Sequence, residues 1–309
     1  MARILELETD PNGPESGKRA GTEYLQDSTR DHGKKRIAAL PESNFREGFK
    51  AWIGWNNPHP RFPCMVAALK RYLRWSRSAR FDVDLRYAII AKFLWRNEWR
   101  FGANPRVLDA GCGPWGLAWY VDRECVGIDV QFPTGPPARE LGTLRVRGSA
   151  TQMPFRDGRF DVAASMDTLE HLPPTARPSA VREMFRVASK AVVIGVPYGW
   201  KAAAFDRRAQ AIEQTRGTEL DWRREHVANG LPDRELDDLI ISLAAARQAT
   251  RVWMMKHENL SGLRLRWRIG QSIPQSHPAY GLLMAPLYGL AKRFHLGSCY
   301  RRMYYVVFS

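Results

Sequence analysis

An α/β protein built on a doubly wound, mostly parallel sheet of seven strands is predicted, with helical additions at its N-terminal side and after the fifth strand. Three observations predict it. From Arg106 onward, short apolar runs alternate with stretches of helical periodicity, which is the texture of successive βαβ units. A turn carrying Gly111, Gly113 and Gly116 separates the first apolar run from a helical stretch. Hydrophobic residues make up 44% of the 309 residues, enough for the core of one large domain with additions.

Strands are expected near 106–109, 125–129, 144–147, 160–165, 191–195, 252–255 and 303–308. Helices are expected to open near Pro114, Pro136 and Pro178, since a first helical turn has no use for the N–H that proline lacks. A further helix over 231–247 carries the apolar stripe Leu236, Leu239, Ile240, Leu243 and Ala244. The 198–231 stretch is polar and charged and reads as a long loop, of the kind that is functional or mobile. The 278–291 segment has no charge, is too short to span a bilayer, and holds Pro286, which should break or kink a helix.

Residues 1–36 are charged, without an apolar signal-peptide run, and read as a flexible tail; 37–104 read as a helical cap; 105–309 form the sheet domain, with insertions at 198–231 and 259–298. Within the cap, Met65, Val66, Leu69, Tyr72 and Leu73 share one helix face, with Lys70, Arg71, Arg74 and Arg77 toward the other. That is an ordinary surface helix or a basic amphipathic helix for an anionic membrane surface. The balance of 47 Lys and Arg against 32 acids gives a formal charge of +15, which attracts nucleic acid, acidic lipid or phosphorylated ligands. No nucleic-acid-binding module stands beside the sheet domain, although a nucleic-acid partner is not excluded. The four cysteines form no C-x-x-C pair, which argues against a zinc knuckle or a disulfide framework. A cytoplasmic protein is expected, with a peripheral contact at the inner membrane face, and no metal site.

The glycine turn is the sharpest local signal. Gly111, Gly113 and Gly116 match G-x-G-x-x-G after a strand, and Asp129 follows where an acid can take ribose hydroxyls. These features predict a Rossmann-like nucleotide site, and the glycines alone fit either a nicotinamide dinucleotide or S-adenosylmethionine. Asp109, directly before the turn, separates the two: a carboxylate repels a pyrophosphate and attracts an ammonium or a sulfonium.

Four segments extend the pattern: VLDAGCG at 107–113, VGID at 126–129, GSATQMPFRDGRFD at 148–161, and MDTLEHL at 166–172 followed by REMFRV at 182–187. In order and spacing the chain resembles the class I S-adenosylmethionine-dependent methyltransferases, in their small-molecule, type 11-like branch, over about a third of its length. The resemblance implies a methyltransferase with S-adenosyl-L-methionine as cofactor. Asp109 would orient the cofactor ammonium, Gly111, Cys112 and Gly113 would run beneath its methionine part, and Asp129 with Val130 would meet the ribose. Ser149 and Ala150 would flank the adenine, with an N–H of Ala150 or Thr151 as donor. Met166 and Asp167 would face the reacting methyl, and 198–231 would lid the acceptor pocket. Two departures stand out: Trp115 where a third glycine is common, and Ser149 where an acid is common.

An oxygen acceptor needs a base. His171 and His226 are the candidates, with Glu225 beside them and Tyr198 at the pocket rim. The acceptor implied is a small molecule or a lipid- or sugar-linked hydroxyl. A nucleic-acid-directed methyltransferase and an NAD-dependent oxidoreductase are the competing readings.

Overall fold

The computed structural model describes residues 3–5, 81–102, 104–113, 116–119, 125–132, 143–273, 277–291 and 295–308. The expected helix over 65–77, Cys64, Pro114, Trp115 and Pro136 lie outside them. Contacts divide the chain into one unit of Met1–Glu8 with Arg74–Ser309 and another of Thr9–Leu73. The first unit carries the sheet.

In chain order the first unit contains β1 (Arg3–Leu5), α1 (Phe81–Arg96), α2 (Glu98–Phe101), β2 (Val107–Ala110), β3 (Cys125–Asp129), β4 (Thr143–Arg147), β5 (Phe160–Met166), α3 (Arg177–Val187) and β6 (Ala188–Pro197). It continues with α4 (Gly199–Thr215), α5 (Asp221–Asn229), α6 (Arg234–Ala246), β7 (Arg251–Asn259), α7 (Leu260–Ser272), α8 (Pro278–Ala291) and β8 (Cys299–Val307). The sheet runs β1-β7-β8-β6-β5-β2-β3-β4. From β6 to β4 neighbouring strands are parallel, β8 pairs antiparallel with both β6 and β7, and β1 adds an antiparallel edge on β7. The seven strands expected are therefore present, and an eighth comes from 3–5, inside the stretch read as a tail.

The central strands are buried on both faces, so their sequences read as continuous apolar runs. Alternation sorts the side chains. Leu108, Ala110, Ala163, Val192 and Ile194 meet Val181, Met184 and Phe185 of α3 and Leu236 and Ile240 of α6 on one face. Val107, Val162, Ala164, Ala191 and Val193 meet Ile90, Phe93 and Leu94 of α1 on the other. The final part of the expected cap, α1, is thus one of the two helical layers of the sheet domain.

Two further expectations change. The 198–231 stretch forms two helices, α4 and α5, where a loop was expected. Its inward positions include Asp206, Glu213, Arg223 and His226, all buried, so the stripe facing the core reads as polar in the sequence. Arg223 bridges Asp206 and Glu213 at 2.9 Å each, and Trp267 Nε1 donates to Glu213 at 3.0 Å. Pro286 sits within α8, which continues through it. That helix buries Tyr280, Met284, Tyr288 and Ala291 in a cluster with Leu85, so side-chain packing holds it despite the lost backbone bond. Among the described residues no helix is long and apolar enough to cross a membrane.

Candidate active site

Strand order, not strand direction, reverses between β2 and β5: β3 and β4 lie to one side, β6 and β8 to the other. A crevice at the carboxyl ends of the strands forms at such a switch point. Here the turns after β2 and β5 touch. Ser165 and Thr168 both donate side-chain hydroxyls to the Ala110 carbonyl, at 2.9 and 3.2 Å. A Cβ added to Gly111 would lie 2.1 Å from Thr168 Oγ1, and Gly111 has a φ of +74°. Gly111→Ala therefore meets both a clash and a left-handed backbone. It is expected to cost about 1–3 kcal/mol of stability, read by denaturant unfolding, and to abolish binding at the loop.

Two carboxylates grip this loop. Asp129 Oδ2 accepts the Gly113 N–H at 2.8 Å, and its Oδ1 accepts the Gln131 N–H at 3.2 Å. Asp109 Oδ2 accepts the Leu117 N–H at 2.6 Å. Asp109 is 1% exposed, and its other oxygen, Oδ1, is buried with no hydrogen-bond partner. Burial pushes the Asp109 carboxyl up to about 7, against the pull of the Leu117 N–H and with a further push from Asp129. An orphaned carboxylate oxygen under a glycine turn suits a cationic group. The loop donors that a pyrophosphate would need at Gly113 and Leu117 are already taken by acids.

A cleft of about 750 Å³ opens on this loop, lined by Gly113, Asp129, Gln131, Phe132, Leu220, Trp222 and Glu225 among others. The helices after β6 thus form one wall of the crevice, through α5 and the residue before it. The other residues expected to meet a cofactor lie outside that lining. Cys112 is buried with its thiol raised by burial, so only its backbone reaches the loop surface, where its carbonyl accepts the Gly116 N–H. Val130 is exposed, and Arg147 Nε binds its carbonyl at 3.1 Å. Ser149 Oγ lies 2.7 Å from Thr151 Oγ1 and accepts the Thr151 N–H, so of the two expected adenine donors Thr151 is already engaged.

The two residues expected to face the methyl, at the end of β5, both have partners within the protein. Met166 is buried, its sulfur close over Gly195 and facing Met303, because the last residue of β5 points into the α1 face of the core. Asp167 has a φ of +51°, and its carboxylate accepts from Arg301 Nε at 2.8 Å and Nη2 at 2.6 Å, with Arg86 at 3.5 Å. Burial alone would raise Asp167; Arg301 and Arg86 hold it below the usual carboxylate range. Both side chains are thus engaged within the protein, Met166 in the core and Asp167 with Arg301 and Arg86. Tyr198 also has a partner, its hydroxyl donating to Asp237 at 2.6 Å.

The two histidines converge. His171 and His226 stand with ring centroids 4.8 Å apart. His171 Nδ1 lies 2.6 Å from Glu225 Oε2, which ties the pair to the cleft wall. Burial, and the neighbouring His226, lower His171 in spite of Glu225. His226 belongs to the core rather than to a solvated loop: it is 4% exposed, with Nδ1 3.0 Å from Asp206 Oδ2. Behind them Glu170 is fully buried, its carboxyl raised by burial and by Asp167. Glu170, Asp206, Arg223 and Arg301 are the members of this site that sequence reasoning does not select. The spacing 206, 209, 213 on α4, one helical face with acids at its ends, is the signal that was available.

Residues 108–194 match a family model described as a methyltransferase domain. The chain is 34% identical over 96 residues to the chloroplastic tocopherol O-methyltransferase of Arabidopsis thaliana, covering 27% of each chain. It is 35% identical over 104 residues to the ajmaline N-methyltransferase of Rauvolfia serpentina, covering 29% of this chain and 35% of that one. With the demethylmenaquinone methyltransferase of Roseiflexus sp. (strain RS-1) it shares 34% identity over 108 residues, 29% of this chain and 44% of the relative. The match thus spans less than half the length of these relatives. Among solved structures, a Thermotoga maritima protein described as a S-adenosylmethionine-dependent methyltransferase, possible histamine N-methyltransferase, is similar at 15% identity and a TM-score of 0.42, over 78% of this chain and 96% of that chain. Over 108–194 the chain is thus similar to methyltransferase domains, and that segment carries β2 to β6 of the doubly wound sheet.

Proposed function

We propose that this chain transfers the methyl group of S-adenosylmethionine to a hydroxyl oxygen of a small-molecule acceptor. The observation that carries the reading is the orphaned, buried Oδ1 of Asp109 beneath a glycine loop whose neighbouring N–H groups are held by acids. That arrangement favours a cationic amino-acid moiety over a pyrophosphate. When bound, the cofactor supplies the methyl and its own leaving group. Asp109 would hold its ammonium, the remaining lone pairs of Asp129 its ribose hydroxyls, and Ala150 its adenine, while Gly111 and Gly113 keep the loop backbone low.

The acceptor side falls to the histidine pair. With Nδ1 of His171 held by Glu225, its Nε2 is left to meet a ligand. The lowered His171 is neutral near pH 7, the form that takes up a proton. The acceptor proton is taken up at this pair as its oxygen attacks the methyl carbon. Methyl-labelled cofactor offered with hydroxyl acceptors, their amine counterparts and RNA tests the reading. Label is expected on the hydroxyl compounds, and His171→Ala should lower kcat about 100-fold with the affinity for S-adenosylhomocysteine unchanged. Label on amines or RNA, or an unaffected kcat, contradicts it.

A lipid-linked acceptor is favoured by one specific feature. Leu283, Pro286 and Leu290 form an exposed apolar stripe on α8 opposite its buried face, in a chain of net charge +15. Co-sedimentation with anionic vesicles at low salt is the check, and a Leu283→Ser/Leu290→Ser variant should bind them more weakly. Absence of binding by the wild type sinks the lipid arm alone.

A further inference from the structure

The geometry points to a divalent transition-metal site formed by Glu170, His171 and His226, placed directly behind the wall of the cleft. One ligand atom from each of the three lies within 4.8 Å of the others. Both oxygens of Glu170 and Nε2 of His226 are buried and have no hydrogen-bond partner. These residues are 0% and 4% exposed, and the two unpartnered groups face each other, with His226 Nε2 3.7 Å from Glu170 Oε1. With Nδ1 of His226 against the Asp206 carboxylate, Nε2 is the ring nitrogen turned toward Glu170. Nε2 of His226 and the Glu170 carboxyl face each other in a water-poor interior, where a proton or a cation is needed between them.

The surroundings supply what a metal site uses. Each histidine has its Nδ1 on a carboxylate, His226 on Asp206 and His171 on Glu225. That carboxylate–imidazole pairing orients metal-ligating histidines and raises their basicity. Asp206 is itself fixed by Arg223 at 2.9 Å and by the Tyr300 hydroxyl at 2.9 Å. The nearby acid Asp167 is neutralised by Arg301 and Arg86, so Glu170 is the carboxylate left for the ion. Two imidazoles and one carboxylate suit zinc, cobalt or ferrous iron, and poorly suit magnesium. Donors on one tetrahedral ion lie about 3.4 Å apart at bond lengths of ~2.1 Å. The set must close by up to about 1.4 Å, and His171 is its least buried member.

The site deepens the reading above in one respect and is otherwise independent of it. Without an ion the histidine pair would take the acceptor proton as above; with one bound both imidazoles would be ligands, and the ion would ease that proton off the acceptor hydroxyl to solvent in their place. Metal binding itself requires no transfer activity.

The test uses tag-free full-length protein stripped with a chelator, then titrated with Co2+ (visible d–d bands), with Zn2+ (competition against a chromophoric chelator) and with Mg2+. One Co2+ or Zn2+ per chain is expected, with Mg2+ at least tenfold weaker. His171→Ala, at the partly exposed position, and Glu170→Gln, which keeps the shape, should each weaken Zn2+ binding by more than the 10–100-fold expected for the orienting partner in Glu225→Gln. Far-UV circular dichroism confirms that each variant is folded. No saturable Co2+ or Zn2+ binding by the wild type overturns the site, as does binding unchanged in both His171→Ala and Glu170→Gln. S-adenosylhomocysteine binding is measured on the same samples. Its loss with metal binding intact counts against the methyltransferase reading alone, and the converse against the metal site alone.

Discussion

Asp109→Asn is expected to stabilise the free protein and to remove cofactor binding. The Asp109 carboxyl is raised from 3.8 to about 7 by burial, so the folded state holds its proton more tightly than the unfolded state does. Stability from this group therefore falls as pH rises from about 4 to about 7, and above that range the buried charge costs on the order of 4 kcal/mol. Asparagine keeps an oxygen for the Leu117 N–H and carries no charge. Its melting temperature should exceed that of the wild type at pH 8 and match it near pH 4. The same substitution deletes the partner of the cofactor ammonium, so affinity for S-adenosylhomocysteine should drop about 100-fold. In the wild type that affinity should rise between pH 6 and pH 8 as Asp109 ionises, and in the variant it should be flat over that range. A variant that is less stable at pH 8, or that binds normally, would show that Asp109 is a structural acid.

Arg223→Ala carries the largest expected loss of stability. Arg223 is 3% exposed and neutralises two buried acids at once, Asp206 and Glu213, which also serve Tyr300, His226 and Trp267. Removing one partner of a buried ion pair leaves an uncompensated charge and costs about 3–5 kcal/mol. Urea unfolding should show a loss of this size, since α4 and α5 are clamped together through this residue. The triple variant Arg223→Met/Asp206→Asn/Glu213→Gln should recover much of it, because no charge is then left unpaired. A loss below about 1 kcal/mol, the range of exposed pairs, would mean that water reaches the cluster.

Legibility in the sequence differs by element. The strands were legible because a parallel sheet buried on both faces writes itself as apolar runs, and β3 falls at 125–129 as expected. The glycine turn was legible because Gly111 must accept both a positive φ and the approach of Thr168. The helices α4 and α5 were not, since their inward face is held by Arg223, Asp206 and Glu213 and so carries charge where the sequence pattern looks for apolar residues. The partners of Met166 and Asp167 were not legible for a different reason. A strand's final side chain and a left-handed residue after it point where Gly195 and Arg301 allow, and those partners lie 29 and 134 residues away along the chain. His171 and His226 were each visible singly, but their meeting over Glu170 depends on α5 folding back against the turn after β5.

The proposed methyl transfer requires that the loop from Asp109 to Gly113 hold S-adenosylmethionine rather than a dinucleotide. Calorimetric titration of the wild type and Asp129→Ala with S-adenosylhomocysteine and, in parallel, with NADH tests it directly. Saturable binding of S-adenosylhomocysteine alone is expected, weakened at least tenfold in Asp129→Ala, where the Gly113 N–H loses its acceptor. Tight binding of NADH, or no binding of S-adenosylhomocysteine by the wild type, would contradict it.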